Sequence, residues 1–65
     1  MTVIRTKISK SEYKRIVKQL SKDKNFESHK SELYEHYFFF SKISLFTIAV
    51  YEYDGKYYMD ILTFT

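Results

Sequence analysis

The chain has no cysteine, no proline and no tryptophan, and a single glycine among its 65 residues. Without cysteine it has no disulfide framework, no thiolate metal site and no cysteine nucleophile. One glycine is too few for a phosphate-cradling glycine loop. No proline- or glycine-rich stretch divides the sequence, so it reads as one domain from 1 to 65 without a linker. Long apolar runs are also missing. None approaches the roughly 20 residues of a membrane-spanning helix. The opening residues alternate polar and apolar and lack the continuous apolar centre of a secretory leader. A soluble, cytoplasmic protein is the expectation.

Codon-level bias shows through the composition. Phe, Tyr, Ile, Lys and Asn make up 29 residues, whereas Gly, Ala, Arg and Pro make up four. The first group has AT-rich codons and the second GC-rich ones. This pattern fits a low-GC bacterium, its phage or a mobile element. At this length a domain buries only about 60% of the surface its unfolded chain exposes. Small domains often add disulfides, metals or oligomerisation to compensate. Thirteen aromatic residues offer this one another source of stability, since each can bury about 150–250 Å².

The richest stretch is Ile43 to Thr65. Asp54-Gly55 between two β-prone runs predicts a hairpin with a type I′ turn. That turn pairs Tyr53 with Lys56, Tyr51 with Tyr58, Ile48 with Ile61 and Leu45 with Phe64. Alternation along the strands then sorts the side chains into two faces. Phe46, Ile48, Val50, Glu52, Tyr57, Met59, Ile61 and Thr63 fall on one, which is apolar over most of its length and is assigned to the core. The other carries Leu45, Thr47, Ala49, Tyr51, Tyr53, Lys56, Tyr58, Asp60, Leu62 and Phe64. This set is more apolar than an ordinary solvated face, which makes it a candidate contact surface.

Upstream, Thr2 to Lys7 reads as a strand. A helix over about Lys10–Lys22 follows, because Ser9 and Glu12 have capping-box spacing and Ile8 and Tyr13 have that of a hydrophobic staple. Tyr13, Ile16, Val17 and Leu20 form its apolar stripe. Phe26 to Phe40 is open to two readings. The aromatic Leu33–Phe40 run favours a strand, while Phe26, Leu33, Tyr34 and Tyr37 could share one side of a second helix. The strand is preferred. The expected fold is α+β, in the order β-α-β-β-β, with one antiparallel sheet and a single helix packed on one face.

Charge divides the chain. Residues 1–30 carry nine Lys/Arg and three acids, residues 31–65 two Lys and five acids. Lys10, Lys14, Lys18 and Lys22 recur every four residues with Arg15 beside them. Such a stripe is either a solvated helix face or an electrostatic footprint for nucleic acid or an acidic partner protein. Single-strand binders combine stacking rings and cations on one surface. Here the rings fall mostly in the acidic half, and Asp60 beside Tyr51 and Tyr58 would repel phosphate.

Chemical motifs are sparse. His29, Glu32 and His36 would share a face only if helical, so they make a weak metal set. No catalytic motif is present, and neither an enzyme nor a cofactor is expected. The leading functional expectation is a protein-binding module, a small phage or mobile-element regulator or inhibitor, acting through Tyr51, Tyr53, Tyr58, Leu62 and Phe64. Its partner is another protein or a second copy of the chain. The alternative is a nucleic-acid-binding protein using Lys10, Lys14, Arg15, Lys18 and Lys22.

Overall fold

The computed structural model describes residues 1–32 and 35–64. Strand β1 (Thr2–Ile8) leads into helix α1 (Lys10–Lys22). Strands β2 (Phe26–Lys30), β3 (His36–Ser41), β4 (Phe46–Tyr53) and β5 (Lys56–Thr63) follow. They form one five-stranded sheet in the order β1-β5-β4-β3-β2, antiparallel throughout. The two strands flanking the helix therefore lie at opposite edges of the sheet. The helix crosses one face between them and packs on β2, β3, β4 and β5. The expected α+β fold, with one antiparallel sheet and one helix on one face, is what the chain adopts. The sheet has one strand more than expected, β2, from the segment that sequence left open between strand and helix. The proposed roles of Leu33 and Tyr34 lie outside the described residues.

The local signals act as their chemistry predicts. Ser9 Oγ accepts from the Glu12 N–H at 3.1 Å, and Glu12 Oε1 accepts from the Ser9 N–H at 3.1 Å. These bonds satisfy two N-terminal donors that the helix itself cannot pair. They also hold the Glu12 carboxyl below the usual carboxylate range, the bond from the Ser9 backbone contributing most. Asp54 and Gly55 have φ of 53° and 75°, the double positive φ of a type I′ turn. The β4–β5 register pairs Tyr53 with Lys56, Tyr51 with Tyr58 and Ile48 with Ile61. Phe64 donates its N–H to the Leu45 carbonyl at 3.0 Å, extending the same alignment past the ladder.

The core lies between helix and sheet. Ile8, Tyr13, Phe39 and Val50 are buried, and Ile16, Val17, Leu20, Phe26, Tyr37, Ile48, Tyr57 and Met59 pack against them. The core is thin: Phe39 and Val50 are its only fully buried large side chains among the described residues. Tyr13 fastens the helix to the sheet. Its ring lies 4.9 Å from that of Tyr57 and 6.1 Å from that of Tyr37, and its hydroxyl donates to the Glu35 carbonyl at 3.3 Å. Burial, and next the negative charge of Glu35, push the phenol up to about 12.

Candidate interaction face

The helix covers one side of the sheet and nothing in the described chain covers the other. The strand registers lay out the open side as three rows running across the strands. The middle row is Arg5, Asp60, Ala49, Phe38 and His29. The row toward the β3–β4 connection is Val3, Leu62, Thr47, Phe40 and Glu27. The row toward the Asp54-Gly55 turn is Lys7, Tyr58, Tyr51 and His36. Leu45 and Phe64 extend the apolar end, while Tyr53 and Lys56 extend the turn end. Every expected contact residue, Tyr51, Tyr53, Tyr58, Leu62 and Phe64, belongs to this one surface.

The surface is not flat. Thr47 and Ala49 are only 5% and 4% exposed although no element covers them. They are short side chains on the central strand β4, and taller neighbours on β3 and β5 shelter them. Phe38 and Phe40 form one wall of a trough, and Leu62, Phe64 and the Arg5–Asp60 pair form the other. Tyr51 and His36 close its end toward the turn. The recess holds about 450 Å³, within the range of specific binding pockets. A second recess of about 400 Å³, lined by Arg5, Tyr51, Tyr53 and Tyr58, adjoins it at the turn end.

The strand order joins residues that sequence kept apart. Arg5, from the basic half, binds Asp60 in two places: Nε donates to Oδ1 and Nη2 to Oδ2, each at 2.9 Å. The Tyr51 hydroxyl donates to both carboxylate oxygens, at 3.2 and 3.1 Å. These bonds hold the guanidinium above its ordinary range, the hydrogen bond with Asp60 being the largest cause. The Tyr51 phenol is also raised, first by burial and then by its bond to Asp60. Asp60 is 7% exposed, so its charge is both sheltered and paired. The acid from which repulsion of phosphate was expected is thus ion-paired with Arg5. Arg5 was missed as a site residue because only the placement of β1 beside β5 brings it here. His36, Phe38 and Phe40 were missed as well, whereas Thr47 and Ala49 were placed on this face but not among its anchors. The unbroken run of rings over residues 36–40 was the one signal for His36, Phe38 and Phe40.

Rings crowd the face. His36 stacks on Phe38 at 4.8 Å and lies 4.7 Å from Tyr51, which stacks on Tyr58 at 5.6 Å. Ring faces engaged with one another are withdrawn from base stacking, which needs an open π-face. The set His29, Glu32 and His36 is not assembled. His29 sits in β2 beside Glu27 at 3.3 Å, and His36 lies in β3 within the ring cluster. Among the described residues no group of three metal-ligating side chains converges.

Lys10, Lys14, Arg15, Lys18 and Lys22 are all exposed on the helix, on the far side of the sheet from the trough. Among the described residues no ion pair engages any of them. No helix among the described residues is long and apolar enough to cross a membrane.

No protein-family model, curated protein or solved structure matches this chain.

Proposed function

We propose that this is a non-enzymatic protein-binding module whose contact surface is the open sheet face, with Tyr51, Tyr53, Tyr58, Leu62 and Phe64 as its anchors. One observation carries the reading: an uncovered, aromatic-lined trough whose charged groups, Arg5 and Asp60, are bonded to each other and to Tyr51. Among the described residues no buried side-chain nitrogen or oxygen lacks a hydrogen bond. The recess therefore offers shape and apolar contact more than unsatisfied polar chemistry, as the centre of a protein interface does. Tyrosine suits such a surface because it combines large contact area with a polar tip. A small regulator or inhibitor, in the cytoplasm of a bacterial host, acts by seating this face on its target.

The test is capture of a partner from nuclease-treated lysate by the wild type and by Tyr51→Ala with Tyr58→Ala. Anchors of this kind cost about 2 kcal/mol or more when truncated. A folded double variant that captures the same partner with unchanged affinity removes the tyrosines from the interface.

A second reading has its own support in the five exposed cations of α1, none of which is in an ion pair among the described residues. Nucleic acid bound there is held through phosphates, so log K falls with log salt by about 0.9 for each phosphate neutralised on duplex DNA. Lys14→Glu with Lys18→Glu abolishes that binding and leaves the fold intact.

A further inference from the structure

Three features compete as a second site. The tyrosine-lined recess over Arg5 already belongs to the contact face. The free edge of β1 offers backbone pairing but only a narrow apolar strip. The apolar end of the trough goes furthest, because its shape and charge and the chain's small size all specify an occupant.

We infer that the apolar end of the open face docks a second copy of this chain, so that two sheets pack face to face with their helices outermost. This rests on the reading of the open face as a protein contact, and it assigns that face's apolar end to the chain itself. The first argument is shape. A two-fold interface needs projections and recesses on the same surface. Phe40 and Phe64 are 42% and 43% exposed, and they stand on either side of the recess floored by Thr47 and Ala49. A rotated copy can set its own rings into that recess.

The second argument is charge. Each copy carries a formal charge of +3, so most approaches are repulsive. The apolar end has no cation among Val3, Leu62, Thr47, Phe40, Leu45 and Phe64. The one acid in that row, Glu27, is beside His29 at the β2 edge. Face-to-face packing also sends both basic helices to the outside, as far apart as two copies in contact allow.

The third argument is size. A 65-residue chain with two fully buried large side chains among its described residues gains the support from a second copy that small domains commonly need.

Sedimentation velocity reads this directly. The wild type should run at twice its 8.0 kDa mass, and added salt should strengthen association by screening the like charges. Phe64→Lys should weaken it roughly thirtyfold or more, the fold-change equivalent of losing an interface anchor. Ala49→Leu, which fills the recess without adding charge, should weaken it too. Tyr53→Ala, at the other end, should leave it unchanged. Should a trough variant fail to fold, isotope-filtered NMR on mixed labelled and unlabelled wild type reads the contact without mutation. Contacts from Phe40 or Phe64 of one copy to the Ala49 methyl of the other are expected. A wild type that stays monomeric at NMR concentrations, or a dimer whose contacts run only between β1 edges, overturns the inference. A monomer that still captures another protein through Tyr51 and Tyr58 overturns this inference alone. A face-to-face dimer whose tyrosine end captures nothing sinks the wider reading instead.

Discussion

Tyr13→Phe should flatten the alkaline loss of stability. The Tyr13 side chain is 8% exposed between Tyr37 and Tyr57, and its phenol is pushed up to about 12, mainly by burial. In the unfolded chain the same phenol titrates near 10. Between these values the unfolded state has lost a proton that the folded state keeps. Stability must therefore fall as pH rises. The contribution is fully present below about pH 10 and is gone by about pH 12, with a slope near 1.4 kcal/mol per pH unit and a total on the order of 1–3 kcal/mol. Phenylalanine cannot titrate, so the variant lacks this slope. At neutral pH it loses only the hydroxyl's bond to the Glu35 carbonyl, at 3.3 Å, a cost of about 0.5–1 kcal/mol. Urea unfolding of both proteins at intervals from pH 9 to 12 is the assay. The difference between the two curves is the contribution of the Tyr13 hydroxyl. Parallel curves would show that Tyr13 ionises as freely in the fold as outside it and would refute the buried anchor.

Ser9→Ala should cost about 0.5–2 kcal/mol in denaturant unfolding, because the Glu12 N–H loses its acceptor. Glu12 is favoured in its charged form, so its contribution holds above the ordinary carboxylate range and fades as pH falls through its depressed value. Acid titration of Glu12→Gln against wild type checks that sign. Gly55→Val should destabilise more than Gly55→Asn. A Cβ at position 55 meets no atom within 4 Å, so the whole penalty comes from the positive φ, about 1–2 kcal/mol for a side chain that resists this conformation. Equal midpoints for the two would argue against that origin.

The parts of the fold legible in sequence are those encoded over a few residues. Ser9, Glu12, Ile8 and Tyr13 announce the start of the helix within one turn. Asp54-Gly55 sets the β4–β5 register, and alternation from that turn sorts Val50 from Tyr51. The strand Phe26–Lys30 was harder to read because four of its five residues, Glu27 to Lys30, are polar and exposed. Its conformation comes from pairing with β3, a tertiary effect that outweighs weak local preference. Arg5 and Asp60 are 55 residues apart, so their meeting depends on the order of strands across the sheet. That order is not written in any local pattern. Ala49 and Thr47 are buried by the height of Phe38 and Phe40 beside them, and this too emerges only once β3 lies next to β4. The five hairpin residues were recognisable as one surface, but the trough that gives the surface its shape was not.

Covalent labelling of both sides of the molecule, free and in complex, tests the central claim most directly. Radical oxidation reports on Phe40, Tyr53 and Phe64, which are 42%, 71% and 43% exposed in the single chain, and lysine acylation reports on Lys14 and Lys18. The account predicts that self-association protects Phe40 and Phe64, that binding of another protein protects Tyr53, and that both lysines stay as reactive as before. Protection of Lys14 and Lys18 with Phe40, Tyr53 and Phe64 still fully oxidised would contradict it and move the working surface to the helix.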